Sequence, residues 1–432
     1  EYATVGGGSV NIASGIYAIV GGGRANKARG QYSVVSGGGS TTEADSNSAI
    51  GDNSAIGGGY HNIVTGTAAV ISGGRNNTAS GIRSAIGGGW YNIASNFEAT
   101  VAGGTNNNAS GNQSTIAGGG YNVTSGTSTS SAIGGGYGNL TSGSAATVAG
   151  GQYNSASGSF TTVGGGGYNK ARGEYSVVAG GGSNNEADSN SAIGDWSAIG
   201  GGYHNITSGN SAVVSGGRTN TASNWYAVVS GGQSNTASGQ YSSIGGGEAN
   251  IASSHRATIA GGSVNQVSGE YSAILGGYAD TIFATGHYSY LFGINSNLTQ
   301  DSTFLVDMPH IRFGTEAAGY EFPKTDGTNG QALVTNGSGQ LSFGTPVDTG
   351  WTISGNDQYS AVSGKVGIGA SAPTAKLDIA GAAGYDQVRM RTTYTPTGSS
   401  DANGNVGDVA WDDGYVYVKT SAGWKRSALS SW

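Results

Sequence analysis

The chain has 432 residues, a net charge of −7, no cysteine and 84 glycines, a glycine share far above the roughly 7% of ordinary proteins. Only 10% of residues are charged while 9% are aromatic, which excludes the signature of a disordered chain; five prolines and no glycine at every third position exclude collagen. An acidic balance with no basic run disfavours binding to nucleic acid or to an anionic membrane, no stretch of about 18 apolar residues reads as a membrane span, and a chain without cysteine has no disulfide or thiol chemistry. No signal-peptide pattern is present, and Glu1 falls inside a repeat, as expected of a processed product or of the distal part of a longer protein.

From Glu1 to about residue 302 the sequence repeats every 15 residues, as in EYATVGGGSVNIASG, IYAIVGGGRANKARG and WYAVVSGGQSNTASG. The consensus is x-aromatic-small-x-[IV]-x-G-G-x-x-N-x-A-S-G. Positions 2 to 5 alternate with a period of two, the mark of a strand. Position 3 is small (Ala3, Ala18, Ser33, Ser84, Ala99) and position 5 is Val or Ile (Val5, Val20, Val35, Val101, Ile116), a pair that suits the inside of a thin coil. Position 4 (Thr4, Ile19, Val34, Thr100) points the other way and is often apolar, so it calls for cover by a partner chain. The Gly-Gly at positions 7 and 8 and the Ser-Gly at 14 and 15 are expected to supply corners of positive φ. Asn at position 11 (Asn11, Asn26, Asn77, Asn92, Asn107) tolerates the left-handed region and, repeated in register, can stack into a hydrogen-bonded ladder. One buried Val or Ile contributes about 1.5–3 kcal/mol against roughly 1–2 kcal/mol of backbone entropy per ordered residue. Coils must therefore stack to be stable, and about twenty of them at the ~4.8 Å inter-strand spacing give a rod on the order of 95 Å.

Two blocks are longer, SNSAIGDNSAIGGGYHNIVTG (46–66) and SNSAIGDWSAIGGGYHNITSG (189–209), and each repeats S-A-I-G at a six-residue spacing. The stretch NKARGQYSVVSGGG from Asn26 returns as NKARGEYSVVAGGG from Asn169, so the rod grew partly by copying a multi-coil segment. The S-x-A-x-G units resemble the head repeats of trimeric autotransporter adhesins. That resemblance covers residues 1 to about 300 and implies a trimer of parallel β-rolls, although the G-G-x-x-N element is an addition to the pattern.

Past TIFATGHYSYLFGINSNLTQ the repeat decays. Residues 303–382 read as a β-rich connector with hairpins, for example 332–344 with Asn336-Gly337 favouring a tight turn. Residues 383–432 read as a small β-meander tip, and no heptads mark a coiled coil. The stretches 322–344, 366–381 and 407–426 resemble recurrent segments of bacteriophage tail fibres. This implies a trimeric fibre whose distal end contacts the host surface.

Among chemistry-bearing residues, Glu43, Asp45 and Asp52, copied as Glu186, Asp188 and Asp195, are the nearest thing to the paired carboxylates of a glycan-cutting enzyme. Lys27 and Arg29, like Lys170 and Arg172, occur one coil earlier at nearly the same repeat positions, so a cross-coil ladder of opposite charges is the preferred reading. His61 and His204 share the context GYHN; a surface role is preferred to a trimer-axis metal site. The columns Tyr2, Tyr17, Tyr32 and Tyr226, Tyr241, with Trp90, Tyr91, Tyr121, Tyr153 and Tyr168 near another corner, read as aromatic ladders before they read as sugar-stacking rows.

The resulting expectations are an all-β, parallel β-roll or β-solenoid homotrimer of 15-residue coils, with divisions at 1–302, 303–382 and 383–432. It is expected to be no enzyme, with no catalytic, cofactor or metal residues. It is read as a phage tail fibre on the virion that attaches to host surface polysaccharide or lipopolysaccharide, joins an upstream tail or baseplate protein, and neither binds nucleic acid nor inserts in a membrane. A bacterial extracellular adhesin or surface fibril is the alternative, and a glycan depolymerase a weaker one. Receptor contact is assigned to Trp411, Tyr415, Tyr417, Trp424, Lys425 and Arg426, in a segment that also holds Asp412 and Asp413; the competing role of that segment is a cap that closes the rod.

Overall fold

A computed structural model describes residues 2–40, 46–308, 312–315, 318–323, 327–329, 331–335, 341–344, 352–354, 357–359, 366–368, 376–379 and 394–430. The chain divides into two units, Glu1–Ile311 and Arg312–Trp432. In the first, the coils up to Val267 lay down two strands of two residues each, such as Thr4–Val5 and Ile12–Ala13, and the last three position-4 strands lengthen to Ala273–Tyr278, Tyr290–Ile294 and Phe304–Asp307. Each pairs in parallel with the same position of the next coil: Thr4 with Ile19, Val5 with Val20, Ile12 with Lys27. Position 4–5 strands form a ladder of 20, ending at Phe304–Asp307, and position 12–13 strands a ladder of 19, ending at Asn297–Leu298. Isolated parallel bridges at position 9, from Ser9–Arg24 to Ser263–Tyr278, line the third side. This is a parallel β-solenoid, and its last rung lies past residue 302.

The interior is built from four columns, of which position 11 supplies the buried asparagines Asn26, Asn47 and Asn62. Position 5 supplies Val20, Val35, Ile56 and Ile71, position 3 supplies Ala18, Ser33 and Ala69, and position 13 supplies Ala28, Ala49 and Val64, all without solvent contact. Alternation puts position 4 on the outer face, where Ile19, Val70 and Val177 are about two-fifths exposed (43%, 40% and 39%).

The corners differ from the expectation. A four-residue turn closes with Ala18 N–H donating to the Gly15 carbonyl at 3.1 Å, and its left-handed residue is Tyr17 (φ 59°), with Gly15 outside that region. Position 2 is left-handed in every coil, including Tyr32 (φ 57°), Arg83 (φ 56°) and Trp196 (φ 55°), and so is position 10 in most, as at Ala25 and His61. The reason lies in the backbone bonds. Most N–H groups donate to the following coil, as Ile19 N does to Ser33 O at 2.9 Å, whereas Tyr32 N and Ala25 N donate back to Ile16 O and Ser9 O at 2.8 and 2.9 Å. The left-handed residue reverses its peptide and so ties each coil in both directions. Glycine at position 15 answers a different need: a Cβ on Gly15 would strike the Gly30 carbonyl of the next coil. Asn11 and its equivalents do form the ladder, and position 8 is glycine at positive φ (Gly8, 88°).

The six extra residues of the long coils fall between positions 9 and 10. Residues 41–45 of the first lie outside the described residues; in the second a 3-10 turn spans Glu186–Asp188. The twin S-A-I-G segments therefore land in different ladders. In Ser48–Ala49 the alanine is buried and Ile50 is 41% exposed, while in Ala55–Ile56 the isoleucine is buried. A shift of one residue in strand register exchanges the faces.

In the second unit, antiparallel pairs join Arg312–Thr315 with Ala318–Glu321, Ala332–Thr335 with Leu341–Gly344, and Thr352–Ser354 with Asp357–Tyr359. Thr335 pairs with Leu341, so the connection that holds Asn336-Gly337 is longer than a two-residue turn; 336–340 lie outside the described residues. Val366–Ile368 pairs in parallel with Leu377–Ile379. Val409–Trp411, Tyr415–Thr420 and Gly423–Ala428 form the expected antiparallel meander.

Candidate binding surfaces

The C-terminal meander is too small for a layered core, so it buries one aromatic cluster. Tyr417 and Trp424 are 5% and 6% exposed and pack with Ala410, with Tyr415 against them. These two of the six expected contact residues are the interior of the sheet. Trp411 and Tyr415 are half-buried, and Lys425 and Arg426 are exposed. The Arg426 guanidinium lies over the Tyr415 ring at 4.3 Å, and the Lys419 ammonium over Trp424 at 5.3 Å.

Asp412 and Asp401 hold the turns of this sheet. Asp412 accepts from Gly414 N and Tyr415 N, both at 2.8 Å, from the Tyr417 hydroxyl at 2.6 Å and from Thr395 Oγ1 at 2.9 Å. The Tyr417 hydroxyl first, and the backbone N–H groups with it, hold the Asp412 carboxyl down at about 2. Asp401 accepts from Tyr394 OH at 2.7 Å, Thr397 N at 2.8 Å and Asn403 N at 2.9 Å, and these bonds keep it far below the usual carboxylate range. Both tyrosine hydroxyls are pushed up by the carboxylates they serve. Two hollows flank Trp424. One of ≈ 330 Å³ is lined by Pro396, Thr397, Ser399, Tyr417 and Arg426, and one of ≈ 360 Å³ by Tyr394, Asn403, Asp408 and Val409.

On the solenoid the charged set is split among structural tasks. Lys170 Nζ pairs with Glu186 at 2.6 Å, one rung of the expected charge ladder. Arg172 instead donates to Ser191 Oγ at 3.2 Å, and Asp188 accepts from Ser183 Oγ at 2.9 Å, because the extra six residues carry Asp188 away from the arginine's rung. Asp52 and Asp195 sit at position 1, where each accepts the N–H of the preceding coil's position 1, Gln31 and Glu174, at 2.8 Å. Glu43 and Asp45 lie outside the described residues. His61 and His204 occupy the left-handed position 10, and His204 N donates to the Asp188 carbonyl at 2.9 Å. No cluster of three metal-ligating side chains occurs among the described residues.

The position-2 aromatic column stacks as expected, while Trp90 and Tyr91 at the other corner are exposed (56% and 51%). Tyr2–Tyr17 and Tyr17–Tyr32 centroids are 5.2 and 5.0 Å apart and nearly parallel; Phe160–Tyr175–Trp196 and Tyr226–Tyr241 continue the same position-2 column. At the other corner Tyr137 from position 9 joins Tyr121, Tyr153 and Tyr168. Within the position-2 stacks the flat faces are spent on one another, which leaves little face for a sugar, whereas at the other corner Tyr121–Tyr137 is tilted by 53° and Tyr137–Tyr153 meets edge-on at 80°. The repeat pattern concealed one feature: Arg256 takes the aromatic position and inserts its guanidinium between Tyr241 and Tyr271, at 5.6 and 5.3 Å from their centroids. A second concealed feature is Asp280, which replaces Asn at position 11 and is wholly buried. No protein-family model matches the chain, and no curated protein matches it.

Proposed function

We propose that the chain is the structural fibre of a bacteriophage tail, a homotrimer that carries a recognition surface away from the virion and attaches it to host polysaccharide or lipopolysaccharide. The observation that carries this reading is the solenoid's unbroken position-4 face. Twenty successive rungs, from Thr4 to Phe304, hold no charged side chain, and many present exposed β-branched carbons. Six of the twenty are Val or Ile, five are Ala and seven are Thr or Ser; an uncharged strip of this length is unusual on a solitary chain and suits two further copies packed along it. A surface repeated this often, at low charge, suits spacing and stiffness better than selective binding. The C-terminal sheet breaks the repeat and exposes Lys425 and Arg426 beside aromatic rings, the residue types that dominate recognition surfaces. Immunodetection on purified virions tests the assignment: the protein should be present on particles and absent from uninfected cells. The same strip and the S-x-A-x-G coils also suit a bacterial surface adhesin, and display on uninfected cells would replace the first reading with that one.

A further inference from the structure

Along the position-2 column of the described residues, a single non-aromatic rung separates two rings at two places. One is Arg256, between Tyr241 and Tyr271; the other is Ser211, between Trp196 and Tyr226. All these residues share the left-handed backbone of the column, Ser211 at φ 57° and Arg256 at φ 54°, so their side chains leave the rod in the same way. The rings that bound the Ser211 gap are aligned with the column: Trp196 lies within 6° of Tyr175, and Tyr226 within 3° of Tyr241. Two rungs separate Trp196 from Tyr226, about 9.6 Å at the usual strand spacing. Filling the equivalent gap, the chain places a planar cation roughly midway, at 5.6 and 5.3 Å from the two rings, within the reach of a cation–π contact. His255 adds an edge-on ring there. At the Ser211 gap, position 1 is Asn210 and position 2 carries only a hydroxymethyl group. Trp196 is 57% exposed, Tyr226 48%, and Trp225 beside the gap 56%.

We infer that Trp196, Ser211 and Tyr226 form a binding slot for a guanidinium, the arginine side chain of a partner protein, which fills the rung that Arg256 fills elsewhere in the chain itself. Charge favours the same occupant. Positions 1 and 2 of the four coils from Glu174 to Tyr226 carry Glu174 and Asp195 and no basic residue, and the ring faces are themselves negative. Selectivity for arginine over lysine follows from shape, since a planar guanidinium stacks on both rings at once whereas a hydrated ammonium does not. The slot is independent of the C-terminal sheet and of the assignment to a virion.

The test uses the whole chain labelled with 5-fluorotryptophan, its Trp196 resonance assigned through Trp196→Phe, and titrated with N-acetyl-arginine methylamide. The wild-type resonance should shift and saturate, and the lysine analogue should bind roughly tenfold more weakly. Ser211→Arg supplies the rung from within, as at Arg256, and should abolish the shift while the circular dichroism and oligomeric state stay unchanged. Trp196→Ala should remove binding measured by saturation-transfer NMR of the probe. Equal response to both amino-acid probes, a shift that survives in Ser211→Arg, or saturation by methyl glucoside in place of the arginine probe would each overturn the inference.

Discussion

Each asparagine of position 11 does three jobs with one side chain. Asn107 Oδ1 accepts from Asn122 N at 3.1 Å, and its Nδ2 donates to Gly103 O at 2.9 Å and Gly119 O at 3.0 Å. The amide thus satisfies backbone groups of its own coil and of the next, in a place no water reaches. Asn107→Ala should cost on the order of 2–3 kcal/mol, because three buried partners lose their bonds; hydrogen exchange in the flanking coils reads the loss, and a change under about 0.5 kcal/mol would refute this account of the column. Asp280 ends the column with a carboxyl in the amide's place. Asp280 N still donates to Asn265 Oδ1 at 3.0 Å, and Ser296 N donates to Asp280 Oδ1 at 3.0 Å. Oδ2 has no partner of good geometry, although the Gly293 N–H approaches the carboxyl. Burial first, and the Asp307 carboxylate after it, push this group up, against the opposing pull of the Ser296 and Gly293 donors. A raised folded-state value means that the coil is most stable below the ordinary carboxyl range near 3.8 and loses that stability as pH rises through the raised value. Asp280→Asn restores the amide and should flatten this dependence, with a gain of about 1 kcal/mol at neutral pH. Parallel pH profiles of wild type and variant, read by exchange of the 266–298 amides, would show that Asp280 does not titrate in this way.

At the scale of the coil, the outer face makes the sharpest demand. Position 4 lies opposite the buried Val/Ile column in each rung, and Val34 and Val213 are half-buried within a single chain. If copies meet along this strip, Val34→Asp or Val213→Asp places three like charges in a closed seam, at a cost of several kcal/mol. The expected outcome is loss of an oligomer that withstands heating in detergent; a variant that stays trimeric removes this face as the interface. Much of the coil was legible in the sequence because its signals are local and repeated. Period-two alternation gave the inward pair at positions 3 and 5, and the repeated Asn gave the ladder. The corner was not legible, since a tyrosine carries no mark of a left-handed backbone, which costs an ordinary residue roughly 1–2 kcal/mol. That cost is offset by what only stacking reveals, the reversed peptide bond to the preceding coil and ring contacts near 5 Å, worth about 0.5–1.5 kcal/mol each. The twin S-A-I-G segments misled for a related reason. Identical tetrapeptides face opposite ways because the corner between them shifts the register by one residue. At the candidate surfaces, Trp411, Tyr415, Tyr417 and Trp424 could be read as exposed or buried from alternation alone; the pairing of Lys419 with Trp424 turns Trp424 inward together with Tyr417.

For the whole molecule, the question is which part selects a partner. Every coil of the solenoid contacts only its neighbours, so its stability is close to a sum of nearest-neighbour terms, and a change in one coil stays local. This independence let the segment from Asn26 be copied at Asn169 without disturbing either copy. The C-terminal sheet is organised differently. Its core is Ala410, Tyr417 and Trp424, its turns are held by the saturated carboxylates Asp401 and Asp412, and Lys425 and Arg426 are exposed. Tyr417→Ala or Trp424→Ala therefore tests folding, at a cost of about 3–5 kcal/mol, and says nothing about recognition. Arg426→Ala is the informative change, because it removes an exposed guanidinium that lies over the Tyr415 ring and bonds the Tyr417 hydroxyl but deletes none of the buried rings. If the sheet is the receptor surface, this substitution should weaken attachment to host cells by roughly tenfold or more, and three copies on one fibre would magnify the loss through avidity. A chain shortened to end near Gly381 should then assemble normally and fail to attach. Should the shortened chain bind host cells as well as the full one, the sheet is not the receptor surface, and attachment belongs to the solenoid.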